Sequence, residues 1–294
     1  MATMQKRVLL FSFMAILPVL AGIVPFLDLA TFAWHTGEQS YILLVPAVCA
    51  ALIYFNSARV FANLSEEQSA SRFLTLLPGA VFIALAYFLE PGSELRLAST
   101  AVGLILFWVS AFYVCFGRES LRRCTFELAM LVWIIPIPPA GIEWITVMLQ
   151  KASTDLVDVL FQLTRVPVLR EGFFFYLPGQ AIEVAKECSG IRSTLSLLFL
   201  TLILAHESLH GNGRRLILVL SALPIVVVKN GIRIVTLTLL AIYVDPSFLT
   251  GRLHHEGGIV FFLIGLAILV PIIGLLRRGD KPSGSELQAD AAGA

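Results

Sequence analysis

Long apolar runs separated by short polar gaps occupy most of the chain. We predict that these runs form eight transmembrane helices, because each is long enough to cross about 30 Å of hydrocarbon. Their approximate bounds are 7–27, 41–61, 73–90, 97–116, 126–150, 189–206, 215–243 and 257–276. The first run is too long for a signal peptide, so we interpret it as a span. The predicted fold class is an all-α polytopic membrane protein, with residues 1–278 forming one domain.

Residues 143–187 depart from this pattern and predict a small extracytoplasmic insertion. Stretch 143–165 has apolar residues at helical spacing with charges between them, which is typical of an amphipathic helix at a membrane interface. Stretch 172–184 has aromatic and branched residues on both sides of Pro178-Gly179. This pattern favours a short β-hairpin with a type II turn.

Composition and charge support a membrane protein with both ends in the cytoplasm. The chain is 57% hydrophobic and 14% charged, whereas a soluble domain is about 25% charged. Its net charge of +1 and the lack of a basic patch with interleaved aromatics argue against nucleic-acid binding. If the N-terminus is cytoplasmic, the gaps rich in Lys and Arg and the C-terminus are cytoplasmic too, as the positive-inside rule requires. We expect residues 279–294, rich in Gly, Ala and Ser, to form a disordered cytoplasmic tail.

Cysteine usage indicates one candidate nucleophile. The chain has four cysteines, none in C-x-x-C spacing. Three lie in or beside apolar runs, where we predict small buried apolar residues: Cys49, Cys115 and Cys124. Cys188 instead ends the predicted insertion and lies at the start of the next span, where the helix dipole favours a thiolate. Arg192, one turn on, would add to that effect; a buried cysteine beside a snorkelling arginine is the alternative.

A polar cluster inside the predicted span 215–243 is the second candidate. Lys229, Asn230 and Arg233 lie in an apolar helix, where each charge costs about 2.5–3.5 kcal/mol at the bilayer centre. The spacing of Asn230 and Arg233 places them on one helix face. Snorkelling of the cations to the headgroups is the alternative to a functional role.

Two histidines before the last predicted span are the third candidate. His254 and His255 are followed by Glu256, and histidine suits proton transfer near neutral pH. Adjacent side chains usually point apart, so we predict no metal here. By the predicted topology, all three candidates lie on the outer side of the membrane. A thiolate, a guanidinium and an imidazole brought together would support acyl transfer.

In the three candidate regions the chain resembles the exosortase/archaeosortase family of membrane cysteine transpeptidases. The family's blocks occur here in order, as the proline-rich break 135–139, Cys-Ser-Gly-Ile-Arg-Ser at 188–193, Asn-x-x-Arg at 230–233, and His254 with Gly258 and Phe261. One block differs: Ser40-Tyr41-Ile42 stands where many members have Ser-His-Gly. This departure indicates a divergent subfamily.

The resemblance implies roles for individual residues. Cys188 would be the nucleophile, Arg233 would bind the oxyanion, and His254 or alternatively His255 would protonate the leaving amine. Supporting or alternative residues beside them are Glu187, Arg192, Lys229 and Asn230. The resemblance implies no cofactor and no metal.

The resemblance also implies a substrate class. Substrates would be exported proteins whose C-terminal tail has a short motif such as Pro-Glu-Pro, a transmembrane helix and a basic end. The enzyme, in the inner membrane, would cut near the motif on the extracytoplasmic side through a thioester, and pass the new C-terminus to a lipid or glycan acceptor. Because the substrate helix would share the lipid bilayer with the enzyme, the membrane itself would orient the scissile bond.

Two other functions stay open on the residues alone. A transporter or channel would place Lys229 and Arg233 on an anion path and predicts inverted repeats, which the sequence does not show. A non-catalytic scaffold for a surface assembly would bind partners through residues 143–187. In that case Cys188→Ser would be silent, whereas deletion of the hairpin would not.

Overall fold

The structure is a computed structural model that describes residues 2–62, 70–164, 166–177, 180–186, 190–249 and 258–278. The chain divides into two compact units, Met1–Pro138 (unit 1) and Pro139–Ala291 (unit 2). The predicted tail 279–294 lies outside the described residues, so its disorder stays a prediction.

Unit 1 consists of helices, of which α6 is the longest described. Its α-helices are α1 (Ala2–Ala21), α2 (Ile23–His35), α3 (Val45–Phe55), α4 (Ser57–Val60), α5 (Leu77–Phe88), α6 (Glu94–Arg123) and α7 (Thr125–Ala129). Its 3₁₀ segments are Ser40–Leu43, Ala70–Leu76 and Met130–Ile134. Helix α6 packs against α1 and α5. The rings of Phe11, Phe61, Phe112 and Phe116 contact one another beside it.

Ion pairs accompany the buried charges of unit 1. The Arg96 side chain is 5% exposed, and its Nε lies 2.8 Å from Oδ2 of Asp28. The Glu127 carboxylate is fully buried, and its Oε1 accepts hydrogen bonds from Arg59 at 2.9 Å and from Asn56 at 3.4 Å. Pairing of this kind offsets part of the free energy needed to remove a charge from water.

Unit 2 is arranged around one long helix. Its elements are α8 (Pro139–Thr164), β1 (Leu169–Glu171), β2 (Phe174–Leu177), β3 (Gln180–Glu183), α9 (Ile191–Ser208), α10 (Asn212–Tyr243), the 3₁₀ segment Pro246–Leu249, and α11 (Gly258–Arg278). Helix α10 packs against α8, α9 and α11. Buried leucines of these helices form one core cluster: Leu149, Leu197, Leu218 and Leu269. Since α10 contacts all three neighbours, the polar residues Lys229 and Asn230 in its middle are buried.

The predicted β-hairpin is confirmed and belongs to a larger sheet. Strands β2 and β3 pair antiparallel, with Leu177 opposite Gln180 and Phe174 opposite Glu183. The sequence missed β1, which pairs antiparallel with the other edge of β2. The predicted turn residues Pro178-Gly179 lie outside the described residues.

An ion-pair cluster connects β1 to α8. Arg170 Nη2 lies 2.7 Å from Asp155 Oδ1, and its Nη1 lies 3.4 Å from Asp158 Oδ2. The hydrogen bond to Asp155 is the main cause that raises the pKa of Arg170, and Asp158 adds to it. The guanidinium therefore stays charged at every physiological pH.

The predicted span 126–150 is wrong as a single helix. Helix α7 and the segment Met130–Ile134 end before residues 135–138, and α8 begins at Pro139. Pro136, Pro138 and Pro139 lack N–H donors and disfavour helical dihedrals in the residues before them, which interrupts the helix. The predicted amphipathic helix 143–165 is therefore the greater part of α8.

The described residues support an all-α polytopic membrane protein with five or six candidate spans. Five helices are long and apolar enough to cross a membrane, or six if α7 to Ile134 and α8 form one broken span. The five are Met4–Ala21, Ser71–Phe88, Glu94–Arg123, Asn212–Tyr243 and Val260–Arg278. Apolar helices α2 and α3 are shorter. The predicted count of eight is not confirmed, because apolar runs such as 41–61 are divided into short helical pieces.

Candidate functional site

The structure describes about half of the predicted site residues. Inside the described ranges are Arg192, Lys229, Asn230 and Arg233; outside them are Glu187, Cys188, His254 and His255. The geometry therefore concerns the start of α9, which follows Cys188 closely in the chain, and the middle of α10.

Gly190 forms the turn that begins α9. It has φ +67° and ψ +29°, a left-handed conformation that glycine adopts without the steric cost of a Cβ. Its carbonyl accepts hydrogen bonds from the backbone N–H of Thr194 at 2.9 Å, from Ser193 Oγ at 2.8 Å and from Thr194 Oγ1 at 2.9 Å. Several donors on one carbonyl hold this turn in place. Because the N-cap residue has no side chain, none from that position covers the first N–H groups of the helix.

The same glycine lies directly against Asn230 of α10. A methyl group at Gly190 would lie 2.7 Å from Oδ1 of Asn230 and 3.0 Å from its Nδ2. Asn230 is 1% exposed. The structure thus brings the described end of the predicted cysteine block, Gly190–Ser193, against the first residue of the Asn-x-x-Arg block.

Lys229 makes a second connection between α10 and α9. The residue is 3% exposed, and its Nζ donates a hydrogen bond to Ser193 Oγ. A methyl group at Gly265 of α11 would lie 3.8 Å from its Cδ, so α11 covers the aliphatic part of the side chain. Snorkelling of Lys229 to the headgroups is wrong, since the ammonium is enclosed. The sequence predicted Lys229 as a site residue but indicated no separate role for its partner Ser193.

The two arginines of the predicted site differ in environment. Arg192 is exposed on the first turn of α9. Arg233 is half-buried on α10 and near enough for its charge to act on Lys229. Positive potential from Lys229, Arg233 and the N-terminus of α9 therefore collects in one region, which suits a thiolate or an oxyanion.

The chain is also fixed before the undescribed residues 187–189. Gln150 of α8 is 4% exposed and donates through Nε2 to the carbonyl of Val184 at 2.6 Å. Lys186 forms an exposed ion pair with Glu143. Sequence reasoning missed Gln150; the available signal was an amide on the apolar face of a predicted amphipathic helix.

The remaining cysteines match their prediction. Cys49, Cys115 and Cys124 are free and buried. None of them forms a disulfide, and their burial is typical of small apolar core residues. They offer no competing exposed thiol.

The fold and this cluster define a helical membrane protein with polar groups from adjacent helices gathered at the start of α9. The model of the transmembrane exosortase family matches residues 33–271, and the chain belongs to that family. Members of the family are generally cysteine transpeptidases, so the chain has a general role as a membrane transpeptidase in protein sorting. No curated protein and no solved structure matches it.

Proposed function

We propose that this protein cuts C-terminal sorting tails of the Pro-Glu-Pro type from exported proteins. The reaction takes place at the extracytoplasmic face of the inner membrane. Cys188 is the nucleophile, Arg233 binds the oxyanion, and His254 is the acid, with His255 as its alternative. Substrates carry the motif, a transmembrane helix and a basic end, and they approach through the lipid.

The reaction has two acyl-transfer steps. The Cys188 thiolate attacks the scissile carbonyl carbon, and the guanidinium of Arg233 donates hydrogen bonds to the resulting oxyanion. The C–N bond then breaks while His254 gives a proton to the leaving amine, which departs with the tail. Water, or a hydroxyl or amine of an acceptor, next attacks the thioester carbonyl carbon and gives its proton to the imidazole. The C–S bond then breaks, and Cys188 leaves as the thiolate.

The contact between Gly190 and Asn230 carries this proposal. It places the turn that follows Cys188 beside the helix that bears Arg233. Arg233 lies one helical turn beyond Asn230, so a nucleophile before α9 and a guanidinium on α10 approach from adjacent helices. The positive potential there lowers the free energy of both the thiolate and the oxyanion.

Mass spectrometry of a co-expressed tailed substrate tests the proposal. Full-length enzyme is expected to release a substrate that ends near the motif, and Cys188→Ala is expected to lower the rate by several orders of magnitude because the nucleophile is lost. Cys49→Ala, which changes a buried thiol of unit 1, is the matched control and should process normally. Normal processing by Cys188→Ala in cells would refute the proposed function.

A further inference from the structure

Lys229 is a buried cation that makes no bond to a reacting atom in the proposed reaction, although its charge adds to the positive potential there. Its side chain is buried, and its Nζ donates to a neutral hydroxyl on the neighbouring helix. Among the described residues, no carboxylate lies within ion-pair distance of it. Burial of an ammonium with a neutral partner is costly, so a fold that needed only packing would favour an apolar side chain here.

The direction of the hydrogen bonds at Lys229 follows from chemistry. An ammonium has donors only, so Ser193 Oγ must accept from Nζ. A hydroxyl has one proton, and Ser193 therefore gives that proton to the carbonyl of Gly190, 2.8 Å away. Lys229, Ser193 and Gly190 thus form a chain of hydrogen bonds with one possible orientation, and it ends on the turn before α9.

We infer that Lys229 is a positioning residue that acts through Ser193. This inference rests on the proposed function. By fixing the hydroxyl of Ser193, Lys229 holds the left-handed turn at Gly190 and so sets the direction in which the chain that bears Cys188 enters α9. Asn230 supports the same turn by direct contact, and Gln150 holds the chain on its other side at Val184. Lys229 touches neither substrate nor acceptor in this role.

Single-turnover kinetics test the inference. Purified full-length enzyme in saturating excess over a tailed substrate gives a first-order rate constant that does not depend on the fraction of active enzyme. Lys229→Met and Ser193→Ala are each expected to lower this constant about 10-fold to 100-fold, the range that follows from loss of one buried hydrogen bond. The double variant should be no slower than the slower single variant, because both changes break the same chain.

Conservative and matched variants separate positioning from general damage. Ser193→Thr keeps the hydroxyl and should restore most of the rate constant. Lys151→Met removes an exposed lysine of α8 and should leave the constant unchanged. If Lys229→Met does not accumulate in the membrane, Ser193→Ala, which removes a single oxygen atom, carries the test alone.

The two possible failures are distinguishable. A wild-type rate constant for Ser193→Ala, or additive losses in the double variant, would overturn the inference about Lys229. Cleavage by Cys188→Ala would instead overturn the proposed function, whatever Lys229 does. Loss of cleavage in Cys188→Ala, together with the expected losses in the Lys229 and Ser193 variants, supports both.

Discussion

Glu127 in unit 1 and Lys229 in unit 2 are both buried, at 0% and 3% exposure, but their partners differ. Glu127 accepts a hydrogen bond from the oppositely charged Arg59. Among the described residues, Lys229 donates to the neutral Ser193, and its charge lies near that of Arg233. The first arrangement offsets the free energy of desolvation within the pair, whereas the second leaves much of it in place.

This difference shows where the chain tolerates a local loss of folding stability. A buried carboxylate with an opposite charge is compatible with a purely structural role. A buried ammonium held by a hydroxyl beside another cation contradicts the rules for a stable core, and such contradictions are typical of functional sites. Substitution in unit 1 should therefore change stability, and substitution at Lys229 should change the rate.

The largest effect is expected at the turn that Lys229 supports. Gly190→Ala should lower stability by about 2–4 kcal/mol and slow processing. The new Cβ would be strained in the left-handed backbone conformation and would lie 2.7 Å from Oδ1 of Asn230. Thermal unfolding in detergent and the single-turnover rate constant measure the two effects.

Gly172→Ala is the matched control for that turn. Gly172 also has a positive φ, +62°, but nothing lies within 4 Å of the position its Cβ would take. The substitution should therefore cost only the backbone strain, about 1–2 kcal/mol, and leave the rate constant unchanged. Equal effects of the two alanines would show that contact with Asn230 is unimportant.

A smaller effect is expected from breaking the ion pair of unit 1. Arg59→Met should lower stability by about 1–3 kcal/mol, since it leaves Glu127 without its opposite charge, and the exposure of Arg59 reduces the loss below that of a fully buried pair. Thermal unfolding in detergent measures the change. Arg118→Met, at an exposed position on α6, should have no measurable effect.

The contrast between Glu127 and Lys229 is supported if substitutions in the two units change different quantities. Lys229→Met should unfold at the same temperature as the wild type or higher, while Arg59→Met keeps the wild-type rate constant and unfolds earlier. A stability loss in Lys229→Met as large as that in Arg59→Met would mean that the buried cation is structural.

The smallest effect is expected at the exposed ion pairs of unit 2. Arg170→Ala should lower stability by less than about 1 kcal/mol, because Asp155 is 69% exposed and water screens the interaction. Hydrogen exchange in β1 should become faster. The difference from wild type should shrink in about 1 M salt, where the screening length is about 3 Å, and a salt-independent difference would contradict the electrostatic account.

Some features of this protein were predictable because they depend on local composition. The free energy of transferring a segment from water into lipid is nearly a sum over that segment's own residues. The apolar runs were therefore enough to predict a membrane protein. The hairpin followed from its own alternation and turn residues. Family membership followed from blocks such as 188–193 and 230–233, which are contiguous in the chain.

Other features were decided only when helices packed together. The run 126–150 is apolar throughout much of its length, yet prolines divide it, so it does not form the single helix that its hydropathy predicted. Ser193 and Lys229 are 36 residues apart, and Gln150 and Val184 are 34 apart. The sequence by itself determined that polar groups occur on α9 and α10. Which of them meet depends on the rotation and depth of each helix against its neighbours, and those are properties of the packed unit rather than of any one segment.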